Sequence, residues 1–179
     1  MDAYLDAGAA QYAVAQLVPL MSCVRGQDGT SWSGLQVKPQ IARTRTGTTA
    51  SVPVMRVNYS SGGDFEDVYG YCRAVRVGAH VHVAGTCARD PHLDGADTYT
   101  QAKSALSIIE AALKEAGSSP ASVVRTVTYV TDIGDHMQVA KAHAELFCDV
   151  RPVATLVQVS ALLDPRMKIE IEAYAIDQD

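Results

Sequence analysis

Four cysteines, Cys23, Cys72, Cys87 and Cys148, are scattered along the 179 residues of this chain without forming a CxxC pair. That spacing argues against a disulfide framework and against a structural zinc site. Phosphate-cradling loops are missing as well: neither GxGxxG nor a P-loop sequence occurs, which removes the usual handles for dinucleotides and nucleoside triphosphates. No apolar run is long enough to span a bilayer. The mildly apolar stretch Tyr12 to Met21 is too short and has no basic segment ahead of it, so neither an anchor nor a signal peptide is expected. With scattered thiols and no export signal, the cytoplasm is the expected compartment, without membrane association.

A basic stripe is the other absence. The chain carries 15 Lys/Arg against 20 Asp/Glu, a net charge of −5. Four of those bases and three of those acids precede Met55, so residues 55–179 hold 11 against 17, a net −6. Arg56, Arg73, Arg76, Arg89 and Lys103 are dispersed among acids rather than gathered on one face. A phosphate backbone needs such a gathering, so no nucleic-acid partner is expected.

What is present is the composition of an ordinary globular domain, 47% hydrophobic and 20% charged. A chain of this length buries a core without disulfides or metal. Composition changes near residue 54. Residues 1–54 pass from an Ala-rich start into Gly26-Gln-Asp-Gly-Thr-Ser-Trp-Ser-Gly34 and then Arg43-Thr-Arg-Thr-Gly-Thr-Thr-Ala-Ser51, polar tracts without a period that builds a core. Two readings of this extension stand. Either it is a vector or reading-frame artefact ahead of a natural start at Met55, or residues 3–20 form a helix that docks on the domain of residues 55–179.

The domain itself shows regular periods. Residues 68–77 and 80–84 predict a hairpin turning at Gly78-Ala79. Asp97 or Thr98 caps a long helix with Ala102, Ala105, Leu106, Ile109, Ala112, Leu113 and Ala116 on its apolar face, stopped by Gly117. Residues 124–131 predict a strand, and Asp135 caps a second helix through Val139, Ala142, Leu146 and Phe147. The run around Val157 and Val159 predicts another strand, followed by a turn at Asp164-Pro165. Lys168, Glu170 and Glu172 then alternate with Ile169, Ile171 and Ala173, the period of a last strand with one apolar face. The order ββαβαββ is an α+β arrangement, with two helices on one face of a mixed sheet.

Taken together, these segments resemble the reactive-intermediate deaminase family, RidA or YjgF. The resemblance runs from about Arg56 to Ile176. It is carried by Gly70-Tyr71-Cys72-Arg73-Ala74-Val75 with Val77-Gly78, by Val81-His82-Val83-Ala84-Gly85, and by Gln101 with Leu106. Ala116-Gly117, Val124-Arg125 with Tyr129-Val130-Thr131-Asp132, Arg151-Pro152 and Lys168-Ile169-Glu170-Ile171-Glu172-Ala173 follow in the same order. The resemblance implies a chorismate-mutase-like fold, a homotrimer with sites between subunits, and hydrolysis of the enamines and imines that pyridoxal-phosphate enzymes release. It implies no organic cofactor and no metal.

The resemblance also assigns residues. Glu170 matches the glutamate that positions or activates water, Tyr71 the pocket tyrosine, and Gly85 a glycine where backbone approaches ligand. Two departures matter. The family arginine that grips the substrate carboxylate, two residues after the proline, is Ala154 here, and a pocket asparagine of the second helix aligns with Ala140. A bidentate guanidinium fork has no substitute among other residue types. The remaining groups able to recruit a different, less anionic small molecule are Thr155, the amide of Leu156, Cys87, Arg73 and Arg89. The expectation is therefore an imine or enamine hydrolase with altered specificity, acting at Glu170 and Tyr71. The alternative is a non-catalytic, ligand-binding or chaperone-like member of the family.

Two further constellations are built on histidine. Cys72, Cys87 and the pair His80 and His82, which share a strand face, invite a metal, with His92 close by; a second compact ligand pair is missing, and the loop of Cys87 and His92 carries Arg89, which opposes a cation. His143, one turn before Phe147 on the apolar stripe of its helix, reads as a packing histidine.

Overall fold

The computed structural model describes residues 55–63 and 65–178. The readings of residues 1–54 lie outside that range. Six strands form one sheet: β1 (Arg56–Tyr59), β2 (Ala74–Val77), β3 (His80–Thr86), β4 (Val123–Val130), β5 (Val153–Gln158) and β6 (Ile169–Ile176). Their spatial order is β1-β2-β3-β6-β4-β5. Every neighbouring pair is antiparallel except β4 and β5, which the helical crossover between them makes parallel. The expected succession ββαβαββ is present, preceded by the edge strand β1 and by a single helical turn, α1 (Glu66–Tyr69).

That turn corrects one expectation. Residues 68–77 are not one strand, because Gly70 takes φ 68° and closes α1, and the strand begins only at Ala74. The Glu66 carboxylate holds the turn in place, accepting hydrogen bonds from the Ser61 amide (2.9 Å) and hydroxyl (2.6 Å) and from the Ser60 hydroxyl. A period-2 reading is blind to such a side-chain anchor. Tyr71 consequently lies in the connection after α1 and not on a strand.

Helices α2 (Thr98–Glu115) and α3 (His136–Phe147) cover one face of the sheet. Asp97 caps α2 by accepting from the Thr100 amide at 2.8 Å, and Gly117 at φ 73° lets Ser118 donate back to the Leu113 carbonyl at 2.8 Å. Asp135 occupies the N-cap of α3 without a side-chain cap bond. The core lies between the layers, where Leu106, Ile109, Leu113 and Phe147 meet Val81 and Val83 of β3 and Ile169, Ile171 and Ala173 of β6. Strand alternation then sends Glu170, Glu172 and Tyr174 to the opposite, open face. No helix among the described residues is long and apolar enough to cross a membrane.

Buried Gln101 ties this layer to the end of β6 that matters below. Its amide donates to the carbonyls of Leu93 (3.0 Å) and Arg166 (2.9 Å) and accepts from the Lys168 amide (2.8 Å). The start of β6 is thereby pinned to α2 two residues before Glu170.

Candidate functional site

Strand β3 is irregular where it passes β6: the pairing shifts register between Val83 and Thr86. The bulge brings Gly85 under the Glu170 side chain. A Cβ at Gly85 would stand 2.0 Å from Glu170 Oε1 and 2.9 Å from its Cδ, so only glycine leaves the carboxylate where it is. Gly85 is both a bulge residue and the floor beneath a carboxylate.

Arg73 supports the bulge. Its Nη1 donates to the Gly85 carbonyl (3.0 Å) and to Thr86 Oγ1 (2.7 Å), and reaches the Ala84 carbonyl at 3.5 Å. The side chain is only 7% exposed, and its Nε is buried without a hydrogen-bond partner. The Tyr71 ring, 39% exposed, lies 6.0 Å from the guanidinium carbon.

The Glu170 carboxylate makes no hydrogen bond among the described residues. Burial, and next the Glu172 carboxylate, raise its pKa above the ordinary 4.5, while Arg73 lowers it. Cys87 follows Thr86, whose partner is Ile171, and so lies beside Glu170. Burial first and the Glu170 charge second push its thiol up to about 12. Cys87 is thus a protonated thiol, unsuited to nucleophilic attack.

Strand register adds a residue that sequence reading passed over. Tyr129 of β4 pairs with Glu170 across the sheet, and its hydroxyl donates to Glu172 Oε1 at 3.3 Å. Glu172 therefore has a partner where Glu170 has none. The alternation of β4 puts Tyr129 on the open face, but only the β4–β6 register sets it beside Glu170.

The β5 candidates are placed elsewhere. Ala154 pairs with Thr126 and Leu156 with Thr128, both buried positions on the helix side, whereas Thr155 pairs with Val127 on the open side. Strand β4 separates them from β6, a lateral distance of roughly 10 Å. One chain thus joins Glu170, Gly85, Arg73, Cys87 and Tyr71, and leaves Ala154, Thr155 and Leu156 on an outer strand. Ala140 is exposed on α3. Arg89 is also exposed, donating to Ser61 Oγ at 3.3 Å.

The histidines have other occupations. His80 Nδ1 is hydrogen-bonded to the Tyr174 hydroxyl, and the His82 ring packs 4.5 Å from the same tyrosine. His143 Nε2 is 3.0 Å from Thr126 Oγ1 and its ring 4.7 Å from that of Phe147; burial lowers its pKa. It packs the α3–sheet interface.

Comparison with known proteins agrees with this architecture. The family model described as Endoribonuclease L-PSP matches residues 64–177. An uncharacterized protein of Streptomyces coelicolor is 40% identical over 118 residues, covering 64% of this chain and 88% of its own. Human 2-iminobutanoate/2-iminopropanoate deaminase is 34% identical over 110 residues, covering 59% of this chain and 79% of its own. A crystal structure from Mycobacterium tuberculosis, of a member of the YjgF/YER057c/UK114 family, is 46% identical with a TM-score of 0.65, covering 69% of this chain and 100% of that one. The chain carrying the Glu170–Gly85–Arg73 corner therefore belongs to the RidA/YjgF family, whose family model bears the endoribonuclease L-PSP name.

Proposed function

We propose that this protein hydrolyses the C=N bond of a small imine, or of the imine tautomer of an enamine, with Glu170 as the group that activates water. The observation that carries the reading is the Glu170 carboxylate: half-buried, lying on Gly85, raised in pKa and without a hydrogen-bond partner among the described residues. A carboxylate so held accepts a proton from water more readily than one already occupied by donors. The similarity to the human deaminase supports the same reaction class.

The step balances on Glu170 alone. Water oxygen bonds to the imine carbon as its proton passes to the carboxylate, giving a carbinolamine. That proton moves to nitrogen, completing the neutral carbinolamine; Glu170 then takes the hydroxyl proton as the C=O bond forms and delivers it to nitrogen as the C–N bond breaks, so ammonia and a carbonyl compound leave and the carboxylate is regenerated. Tyr71, beside Arg73, would orient the ligand. The exposed Val153 and Val157 on the open face favour burial of that face against further copies, in a homotrimer with sites between subunits. The excess of acids over bases favours a small molecule over a nucleic acid.

Ammonia release from freshly generated imines tests the reading. Glu170→Gln should lower turnover about 10²- to 10⁴-fold, the range for general acid–base groups. The corresponding change at Glu172, which already has a donor in Tyr129, should leave turnover within about threefold. Equal losses from both would remove Glu170 from the water-activating role. The non-catalytic, ligand-binding alternative has one observation in its favour, the small side chains Ala154 and Ala140, and it takes over if neither variant changes ammonia release.

A further inference from the structure

The Glu170 corner contains a second idle group. Arg73 is 7% exposed, a burial that charged residues accept only when paired. Yet among the described residues the ion pairs are Arg76–Asp177, Lys103–Glu145 and Arg166–Asp164, and none involves Arg73. Its hydrogen bonds all leave from Nη1 and all end on neutral oxygens, those of Ala84, Gly85 and Thr86. Nε is buried and unpartnered, and Nη2 has no partner among the described residues. The carboxylate near enough to act on it through space, Glu170, is not hydrogen-bonded to it.

A buried cation with one edge occupied by neutral acceptors and the other edge idle is an incomplete arrangement. With Nη1 occupied and Nε buried, Nη2 is the nitrogen open to a ligand, and an N⁺–H···O⁻ bond from it is charge-assisted. We propose that Arg73 is the anion-recognising residue of this site, taking the carboxylate of a small 2-oxo- or 2-imino-acid-like ligand through its unpartnered Nη2. The ligand's anionic end then lies on the β2–β3 side of Glu170, within the same chain, and not at β5, where Ala154 has nothing to offer. The inference rests on the proposed location of the pocket at Glu170 but not on turnover. Tyr71, packed on the guanidinium, would confine the edge that meets the ligand.

A purely structural role for Arg73, holding the bulge through Nη1, makes a different prediction, and a pair of unreactive probes separates the two. Pyruvate and its neutral amide, pyruvamide, have nearly the same shape and differ in charge. Titration calorimetry of the full chain should show pyruvate bound about ten- to hundredfold more tightly than pyruvamide, the preference expected of a charge-assisted pair. Arg73→Met should reduce that preference to about one, Arg73→Lys should retain part of it, and Arg89→Met, at the exposed neighbouring guanidinium, should retain all of it. The proposal is overturned if Arg73→Met weakens both probes in step, if Arg89→Met removes the preference, or if the wild type binds neither probe or both equally. Should Arg73→Met fail to fold by circular dichroism, Arg73→Lys decides: a lysine keeps the charge but its single ammonium cannot both hold the bulge as Nη1 does and stand where Nη2 stands, so an unchanged preference rejects the assignment. Ammonia release has no part in this readout. An inactive Glu170 thus leaves the Arg73 assignment standing, and an unselective Arg73 leaves the hydrolase reading standing.

Discussion

The corner where β3 bulges past β6 and the outer strand β5 are two parts of one sheet with opposite chemical characters. At the corner a carboxylate, a guanidinium and a thiol are partly or wholly buried, close enough for their charges to act on one another, and the first two keep unused hydrogen-bonding capacity. Along β5 the corresponding positions are Ala154, Thr155 and Leu156, exposed or half-buried and without a charge. Keeping charges buried and unpaired costs stability, and a fold retains such groups where they serve a ligand. The contrast places the groups that cost stability at the corner and not along β5.

The largest test of that contrast, after the removal of the Glu170 carboxylate, is at the floor beneath it. Gly85→Ala adds one methyl at a backbone angle that alanine accepts, and the methyl meets the end of the Glu170 side chain rather than backbone. The carboxylate must move, so turnover should fall by about 10²-fold while stability changes by no more than about 1 kcal/mol. Steady-state ammonia release together with thermal melts checks this. An active Gly85→Ala would mean the observed carboxylate position is unimportant.

Next in size is the reverse experiment at β5. In an Arg73→Met background, which frees the ligand's carboxylate, Ala154→Arg should raise turnover of carboxylate-bearing imines about ten- to hundredfold, from a pair contributing about 1.5 to 3 kcal/mol. Ala154 lies on the helix side of its strand and Glu170 on the open side, so within one chain the new guanidinium faces away from Glu170, and in the proposed trimer it would serve the pocket of a neighbouring copy. The gain should therefore accompany trimer formation, measured by sedimentation, and a gain in a monomeric protein would contradict the arrangement between subunits.

The pH response is subtler. Because burial and Glu172 raise Glu170 above 4.5, kcat/KM should rise with pH through a pKa higher than that value, and Glu170→Gln should remove the step. The stability linkage has the opposite slope. A carboxyl group with a raised pKa in the folded protein binds its proton more tightly there than when unfolded, so folding is favoured at low pH and weakens as pH climbs from about 4.5 through the folded pKa. Glu66 is the internal contrast: burial pushes its pKa up, but hydrogen bonds from Ser60 and Ser61 and the amides of Ser61 and Gly63 outweigh it and bring the value to about 2. Its contribution is present above 4.5 and lost as pH falls toward 2. Chemical denaturation of wild type, Glu170→Gln and Glu66→Gln across this window should give slopes of opposite sign for the two sites.

Periodicity was enough for the helices, whose stripes Leu106-Ile109-Leu113 and Val139-Ala142 repeat at three and four, for β6, whose alternation is regular, and for β4 from Thr126 onward, past the register shift at Val123–Arg125. It was misleading at residues 68–77, where the side-chain anchor of Glu66 and the positive φ of Gly70 outweigh local strand preference. It was uninformative for β1, a four-residue edge strand whose pairing with β2 supplies what its own sequence lacks.

Within the site the division is similar. Sequence alone put Glu170 on the face away from the core, because a strand's side chains alternate and Ile169 and Ile171 claim the other face. The matching motifs also singled out Gly85, and counting from Pro152 reached the alanine at 154. Sequence could not say that Gly85 lies under Glu170, that Arg73 is buried with an idle edge, or that Tyr129 stands beside Glu170. Those facts depend on a bulge in β3 and on the β3–β6 and β4–β6 registers. A register joins residues about forty to a hundred positions apart, and no local period records it; only the packing of α2 and α3 on Ile169, Ile171 and Ala173 fixes which residues of neighbouring strands meet.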